Sequence, residues 1–508
     1  MHLGEAQAIV EGLVRAEPAK AFADGMELLR ADYPELALPA ARRLSERHRA
    51  DARLAQLLGL AARAVGDGPL ACTAFVRAAR LAPADALIAH SHARTALEAG
   101  KPAVDLFERA ARLAPQDGAV LQGLAAALVA ERRGREAIER LEAILARNPL
   151  WIDGHRSLAH IRGQYALDPV AHLDSAIARN PARPELHHLR IVTLLEARRP
   201  EDAMQAIADA RRMLGEHGWI AQLAGHTASE LGDIVEADRE FVAALPPTSP
   251  EDLANRARHL LRAGRPGEAA ALLEPCVTTD GSGNGIFWPY LSLAWRLLDD
   301  PRKAWLESDA ELVGVYDLVD RIEDFAALAD HLRSLHFARE APLDQSVRGG
   351  TQTDGNLLLR DEPPIRRLRE VLLETVATHV EHLPAPREGH PTLLATRNPL
   401  RVAGSWSVRL RDAGFHTDHV HSQGWLSSAF YVALPETLDS TGGHAGWLSL
   451  GESRDLVPDL APERLIEPRP GRLVLFPSTM WHGTRPFPSG ERMTVAFDIA
   501  LPKQEATR

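Results

Sequence analysis

The feature that most constrains the fold of this chain is a proline that recurs at a nearly constant interval. Pro83, Pro115, Pro149 and Pro181 follow similar segments and stand 32, 34 and 32 residues apart. The residues between them are rich in Ala, Leu, Arg and Glu, with apolar positions at helical spacing. A period of about 34 residues is typical of a solenoid of helical hairpins, whose repeats bury their apolar faces by stacking. We therefore expect an all-α array over residues 1–300.

One repeat can be read from Gly118 to Pro149. It alternates large and small apolar residues across two helices, so that the helices can approach closely, and the proline ends the second helix. The large and small positions are Leu121, Leu124, Ala125, Leu128, Ala137 and Leu141. This pattern resembles the tetratricopeptide repeat, although leucine replaces most of that family's aromatic residues. The resemblance implies a superhelix with a concave groove that holds a protein or peptide segment.

The sequence pattern changes after the repeats. A Gly-rich break begins near Thr278, and residues 301–342 read as a helical linker or capping region. From Arg401 onward, short runs with a period of two alternate with Gly, Pro and Asp, as in a jelly roll, which is a double-stranded β-helix. The fold class is therefore multidomain: a solenoid over 1–300, the linker over 301–342, and a jelly-roll domain with flanking helices over 343–508.

Candidate metal ligands are concentrated in one short stretch of the second domain. His416, Asp418, His419 and His421 fall within six positions, directly before an apolar segment of high β propensity. A non-haem iron site needs three protein ligands on one face of the metal, with open positions on the other. On a β scaffold, two residues spaced by two can supply a pair of ligands, since their side chains share a face.

A distant ligand and a basic partner follow later in the chain. His482 lies just past the apolar run that begins at Gly471, and Arg492 starts the next predicted strand. An arginine at this distance can pair bidentately with a carboxylate of a bound cosubstrate. The order and spacing of these residues favour a functional site, whereas His482 or Arg492 alone would be read as an ordinary surface residue.

The C-terminal residues resemble a bacterial group of 2-oxoglutarate- and Fe(II)-dependent dioxygenases that often carry tetratricopeptide repeats. The matching motifs are His419-Val420-His421, Leu426-Ser427-Ser428 with Phe430-Tyr431, Gly471 to Phe497, and Gln345 to Thr353. The resemblance implies Fe(II) and 2-oxoglutarate as cofactor and cosubstrate. It also implies metal ligation by His419, His421 and His482, and cosubstrate binding by Arg492, Tyr431 and Ser427.

A second pair of residues, His416 and Asp418, is an alternative to His419 and His421 as metal ligands. In an extended strand His419 and His421 share one face, whereas His416 and Asp418 share the other. The pair His416 and Asp418 would supply the carboxylate that such iron sites usually contain, whereas the pair His419 and His421 aligns with the resembling group. Both pairs are therefore kept as candidates, with His482 as the third ligand.

Several further residues are candidates for substrate contacts. Arg348 and Gln352 lie in a polar, Gly-rich stretch that either covers the site or forms a plain loop. Trp406 and Trp425 suit the lining of the site, although aromatic residues on strands more often belong to a core.

These observations predict an oxygenase that hydroxylates a side chain of a protein or peptide presented by the repeats. Two alternatives are an oxygenase acting on a small molecule, and a non-catalytic scaffold whose barrel is a degenerate binding module. The net charge of −11 argues against nucleic acid as a partner. Absence of an apolar run of about 18 residues argues against a membrane span. Two distant cysteines and no signal-peptide pattern favour the cytoplasm.

Overall fold

The computed structural model describes residues 1–13, 15–244, 246–247, 249–277, 285–422, 424–436, 438 and 443–504. Residues 278–284, the first part of the Gly-rich break expected from Thr278 onward, lie outside these residues. The N-terminal region is a series of antiparallel helices. They are α1 (Leu3–Leu13), α2 (Pro18–Arg30), α3 (Pro34–Arg47), α4 (Ala52–Ala64), α5 (Gly68–Leu81), α6 (Ala86–Glu98), α7 (Val104–Leu113), α8 (Gly118–Ala130), α9 (Gly134–Arg147), α10 (Ile152–Gln164), α11 (Ala171–Arg179), α12 (Pro184–Glu196), α13 (Pro200–Leu214), α14 (Gly218–Glu230), α15 (Ile234–Ala243), α16 (Pro250–Arg262), α17 (Pro266–Leu273), α18 (Trp288–Leu297) and α19 (Arg302–Glu307).

The recurring prolines mark the ends of the second helices of the repeats. Pro83, Pro115, Pro149 and Pro181 each stand two residues after a helix, namely α5, α7, α9 and α11. After Pro83 and Pro115, the side chains of Asp85 and Asp117 accept hydrogen bonds from the first backbone N–H groups of α6 and α8. The solenoid expected from the period is confirmed.

Close approach of paired helices depends on small residues. At Gly123 on α8, an added Cβ atom would lie 2.1 Å from the ring of Phe107 on α7. Phe107 is 1 % exposed, so that a larger side chain at Gly123 would require the Phe107 ring or one of the two helices to shift.

In its described residues, the C-terminal region forms two antiparallel sheets with two accompanying helices. The elements are β1 (Gly314–Asp317), α20 (Phe325–Leu335), β2 (Val347–Gln352), α21 (Pro363–His382), β3 (Val402–His416), β4 (Gly424–Ala433), β5 (Leu448–Leu450), β6 (Arg464–Ile466), β7 (Arg472–Pro477), β8 (His482–Thr484) and β9 (Glu491–Ala500). The large sheet has the order β1-β7-β4-β9-β3-β2, and the small sheet has the order β6-β5-β8. The expected jelly-roll domain with flanking helices is confirmed.

The two faces of the large sheet have different roles. On the outer face, Leu473, Val495 and Phe497 pack with Leu328 of α20 and Leu372 of α21 in one apolar core. The opposite face is turned toward the small sheet, with which it shares a second core that includes Tyr431, Phe476 and Leu450. Alternation along β9 therefore directs Arg492, Thr494, Ala496 and Asp498 into the barrel.

The sheet includes a strand from the segment interpreted as a linker. Gly314–Asp317 pairs with residues 472–475 of β7, upstream of residue 343, at which the second domain was expected to begin. Helices α19 and α20 do lie within 301–342. The three-part division of the chain stays a prediction. The pairing of β1 with β7 places part of the segment 301–342 in the sheet of the second domain.

Helix ends and turns along one edge of the solenoid contact the barrel domain at several points. Arg401 pairs with Glu35 in the first turn of α3, and Lys101 after α6 pairs with Asp361. Further contacts join Arg132 Nη2 to Ser334 O, Gln164 Nε2 to Asp354 Oδ1, and Asp344 N to Glu196 O. One edge of the solenoid thus lies against the barrel along much of its length.

Within the described residues, no helix combines the length and the apolar composition that crossing a bilayer would require.

Candidate metal centre

Two of the candidate ligands are joined by their own backbones. His419 and His482 form an isolated antiparallel bridge, with the N–H of each donating to the carbonyl of the other at 2.9 and 3.0 Å. The N–H of His421 donates to Ser478 O at 3.2 Å. This bridge brings the connection between β3 and β4 onto β8, so that residues more than 60 positions apart meet in one place.

Each of the three imidazoles is oriented through the nitrogen that faces away from the others. Because Nδ1 has a hydrogen-bond acceptor in every case, Nε2 is left to carry the lone pair toward the centre. The bonds are His419 Nδ1 to Thr417 O at 2.8 Å, His421 Nδ1 to Asp498 Oδ2 at 2.7 Å, and His482 Nδ1 to Met480 O at 3.0 Å.

The three side chains converge closely enough to share one ion. One ligand nitrogen from each of His419, His421 and His482 lies within 4.8 Å of the other two. Burial lowers the pKa of His419 to about 3, with a further contribution from the charge of His421. Burial also holds the pKa of His482 well below its ordinary value. At neutral pH both imidazoles are therefore uncharged and able to donate to a metal.

The alternative pair occupies different positions. The Asp418 carboxylate forms a bidentate ion pair with Arg454, at 2.6 and 2.8 Å, and also accepts the Arg454 backbone N–H. Its side chain is 1 % exposed. Arg454 thus engages both oxygens, and Asp418 is not among the residues whose ligand atoms converge within 4.8 Å.

His416 lies beside the three histidines. Its ring stacks on that of His419 with a centroid distance of 5.9 Å. The Ser346 hydroxyl bridges the two residues, at 3.0 Å from His416 Nδ1 and 3.3 Å from His419 Nε2. Burial, together with the neighbouring positive charges, holds the pKa of His416 well below its ordinary value.

Arg492 is enclosed within the barrel near these histidines. It is 2 % exposed, its Nε donates to Gly446 O at 3.2 Å, and its guanidinium lies 5.1 Å from the ring centroid of Tyr431. Among the described residues, no Asp or Glu forms an ion pair with Arg492. Burial lowers its pKa from the ordinary value. A buried guanidinium without a carboxylate is costly, so the position suits an anionic ligand.

Tyr431 and Ser427 both face the barrel interior. The Tyr431 hydroxyl is buried and makes no hydrogen bond of standard geometry within the described residues, and burial raises its pKa. The Ser427 hydroxyl donates to Asp498 at 2.7 Å and lies 2.9 Å from the hydroxyl of Ser478. Ser427 therefore supports the carboxylate that orients His421, whereas Tyr431 leaves a polar group available beside Arg492.

The remaining predicted residues divide into two groups. Trp406 lies at the centre, with its ring 5.4 Å from that of His421. Arg348 is on strand β2, and its positive charge contributes to the lowered pKa of His419. Gln352, at the end of β2, donates to Gln345 Oε1 at 3.3 Å. Trp425 packs in the apolar core on the outer face of the large sheet and donates to Thr392 O at 2.9 Å, away from the three histidines.

Sequence reasoning missed Asp498 and Ser346. Asp498 lies six residues after Arg492 on β9, so strand alternation alone places both on the inner face. That signal was available in the sequence. Ser346 gave no comparable signal, because its position depends on how β2 pairs with the distant strand β3.

Two family models match the chain. Residues 404–498 match the family described as "Putative 2OG-Fe(II) oxygenase". The barrel domain therefore resembles a 2OG-Fe(II) oxygenase. Residues 95–161 match the tetratricopeptide repeat, in agreement with the helical period. No curated protein matches the chain.

Solved structures, among them a tetratricopeptide repeat protein and a prolyl-4-hydroxylase, are similar to parts of the chain. MamA from Desulfovibrio magneticus RS-1 is 20% identical, with 33% of this chain and 98% of that chain covered and a TM-score of 0.29. A tetratricopeptide repeat protein from Parabacteroides merdae is 16% identical, with coverages of 46% and 92% and a TM-score of 0.29. A Pseudomonas putida prolyl-4-hydroxylase is 14% identical, with coverages of 41% and 97% and a TM-score of 0.28.

The residues present fit the groups that a 2OG-Fe(II) oxygenase uses. Three imidazoles, each oriented through Nδ1, are suitable ligands for a divalent transition metal. The enclosed guanidinium of Arg492 and the buried hydroxyl of Tyr431 beside it suit a carboxylate of 2-oxoglutarate. The arrangement differs from the usual donor set in one respect: within the described residues, the cluster of three contains no carboxylate.

Proposed function

We propose that this protein is a 2-oxoglutarate- and Fe(II)-dependent dioxygenase that hydroxylates a side chain of a protein or peptide held against the solenoid. The observation that carries the proposal is the convergence of His419, His421 and His482 inside a jelly roll that also encloses Arg492. In this proposal the three histidines hold Fe(II), and His416 with Asp418 are not ligands.

Bound iron and 2-oxoglutarate supply the oxidising power, because reduction of dioxygen converts 2-oxoglutarate into succinate and carbon dioxide while a substrate C–H becomes C–OH. The protein's own residues bind the cosubstrate and orient it. Arg492 pairs with a carboxylate of the cosubstrate, and Tyr431 offers its hydroxyl to the same group. The rings of Trp406 and Phe476, whose centroids lie 5.4 Å from that of His421 and 4.7 Å from that of His482, limit the access of water to the centre.

A substrate on the solenoid would reach the centre over a short distance. The N–H of Asp344 donates to Glu196 O at the C-terminal end of α12, and Ser346, two residues later, contacts His419. Two residues span at most about 7 Å. The solenoid therefore forms part of the surroundings of the site, which supports a substrate that contacts both domains over one that contacts the barrel alone.

The decisive test is an anaerobic titration of the full-length protein with Fe(II) and then 2-oxoglutarate, following the charge-transfer absorption of the chelated ketoacid. We expect the band in the wild type and its loss in His482→Ala. Arg492→Gln is expected to keep the metal and weaken 2-oxoglutarate binding at least about tenfold, since a charge-assisted pair is lost. Metal bound without any band would contradict the dioxygenase proposal.

Two variants separate the ligand sets. His416→Ala and Asp418→Asn are expected to keep the band, because neither residue is a ligand in the proposal. Loss of Fe(II) binding in both, with a folded protein by circular dichroism, would instead favour the pair His416 and Asp418. Peptide libraries incubated with the active protein then test the substrate class, the expected product being a peptide that has gained one oxygen atom.

A further inference from the structure

The segments that carry the three histidines have a second face, which contacts the solenoid. Strand alternation sends His482 toward the centre and its neighbour Trp481 to the opposite side. The same alternation places Val420 opposite His419 and His421. Both Trp481 and Val420 join an apolar cluster built from α16, α17 and α18, the last helices of the solenoid.

The contacts of Trp481 with the solenoid are specific. Its Nε1–H donates to Pro289 O of α18 at 2.9 Å, and its ring meets the ring of Tyr290 edge-on with a centroid distance of 5.7 Å. Trp481 is 3 % exposed. Because the indole is both enclosed and hydrogen-bonded, a displacement of α18 would be transmitted to the residue beside His482.

The connection that carries His419 and His421 lies against the same helical region. Val420 packs on the cluster that contains Trp288 and Leu291. Gly285, just before α18, approaches so closely that an added Cβ atom would lie 2.8 Å from Ser422 O. The backbone on both sides of the centre is therefore packed against one end of the solenoid.

The sheet by itself supports these histidines weakly. Strand β8 has only three residues, and His419 is joined to it by a single isolated bridge. A short strand and one bridge leave much of the local geometry to packing, and the packing behind the centre comes from α16 to α18.

We propose that Trp481 and Val420 are positioning residues, through which the last helices of the solenoid fix the geometry of His419, His421 and His482. The inference rests on the proposed metal site, and it assigns to the solenoid a role in metal binding in addition to holding a substrate. By linkage, metal binding must then stabilise the packing of α18 to the same extent that this packing favours metal binding.

The chain offers a matched pair of tryptophans for the test. Trp425 is also nearly fully buried and also donates its indole N–H to a backbone carbonyl at 2.9 Å, but it lies in the outer core of the barrel, away from the solenoid helices. Trp481→Phe and Trp425→Phe therefore each remove one hydrogen bond from an indole N–H to a backbone carbonyl, and each keeps an aromatic ring. The measurement is the dissociation constant of Co(II), obtained from its d–d absorption on the full-length protein.

We expect Trp481→Phe to weaken Co(II) binding about tenfold and to change the band shape, as for other groups that orient metal ligands. Trp425→Phe is expected to lower thermal stability comparably while Co(II) affinity stays within about twofold of the wild type. Equal Co(II) affinity in both variants would overturn the positioning role. If the wild type shows no Co(II) band that depends on His482, the proposed metal site fails and this inference fails with it.

Hydrogen exchange tests the same coupling in the wild type, without any substitution. Co(II) is expected to slow amide exchange in α18 at least about threefold, and to leave α2, at the far end of the solenoid, unchanged. Binding of Co(II) through His482 with unchanged exchange in α18 would show that the solenoid and the centre are independent.

Discussion

At the scale of single residues, Asp498 connects the barrel to the candidate metal centre. Its two oxygens lie 2.8 and 2.7 Å from His421 Nδ1, and one of them also accepts the Ser427 hydroxyl at 2.7 Å. Asp498 is 9 % exposed, so its charge is compensated mainly by these groups. A carboxylate in this position fixes the imidazole orientation and raises its basicity as a ligand.

Replacement of Asp498 tests this role. Asp498→Asn is expected to weaken Co(II) or Fe(II) binding by about 10- to 100-fold, because the amide removes the negative charge and holds the ring less firmly. Isothermal titration with Co(II) measures the change.

Ser428→Ala is the control for this prediction. Its hydroxyl donates to Phe497 O next to Asp498, but it contacts none of the three histidines. Similar metal affinities in Asp498→Asn and the wild type would show that the carboxylate is only structural.

At the scale of elements, α19 carries a buried carboxyl group where it packs near the barrel. Glu307 is 4 % exposed, and its Oε2 atom has no hydrogen-bond partner within the described residues. Burial raises its pKa to about 7, and Glu463 adds to the increase. Lys303 and Arg296 face it as well and oppose the shift. The group is therefore protonated in the folded protein across the mildly acidic range.

This shift predicts a dependence of stability on pH. In the folded protein the Glu307 carboxyl has a pKa of about 7, whereas in the unfolded chain its pKa is near the ordinary value of 4.5. Between these two pH values the folded protein holds a proton that the unfolded chain has lost. The contribution of Glu307 to the free energy of unfolding should therefore fall between about pH 4.5 and pH 7, by up to about 3 kcal/mol. Urea denaturation of the wild type and of Glu307→Gln at pH 5 and pH 8 measures this contribution as the difference between the two proteins, because the buried histidines act equally in both.

The exposed Glu311, in the short turn that follows α19, provides the comparison. Glu311→Gln should leave the pH dependence of the wild type intact. A Glu307→Gln protein that loses as much stability as the wild type between pH 5 and pH 8 would show that the burial of Glu307 is not the cause.

At the scale of the whole molecule, the solenoid and the barrel are held together from end to end. At the N-terminal end, Arg401 Nε contacts Glu35 Oε1 at 2.6 Å and its Nη1 pairs with Asp32, while Lys503 Nζ lies 3.8 Å from the ring centroid of Tyr33. At the other end, Trp481 is inserted among α16 to α18. The first contacts are polar and partly exposed, whereas the second are apolar and buried.

This difference predicts that the N-terminal end of the solenoid separates from the barrel more easily than the other end does. Arg401→Ala is expected to cost about 1 kcal/mol, since the ion pair is partly exposed, and to speed amide exchange in α2 and α3 without changing Co(II) affinity. Arg43→Ala, an exposed arginine on α3, should change neither. Weaker Co(II) binding in Arg401→Ala would mean that the whole solenoid, and not only its last helices, supports the metal centre.

Periodicity and motif order were sufficient to predict both domain folds and the candidate ligands. The helical period is a local property, because each repeat needs the same pattern of large, small and proline residues to stack on its neighbours. Alternation along a strand is equally local, so that His419 and His421 could be assigned one shared face. His482 was a candidate for the distant third ligand because it follows an apolar run, and resemblance to a family favoured its combination with His419 and His421.

The sequence alone determined the two architectures and the residue types available for a metal site. The tertiary structure decided what could not be local: that Asp418 is engaged by Arg454, that Asp498 lies behind His421, that Trp425 belongs to an outer core, and that the last solenoid helices lie behind the centre. Each of these depends on contacts between residues far apart in the chain. Such contacts are fixed by the burial of apolar surface and the pairing of buried charges in the assembled molecule, which no local pattern encodes.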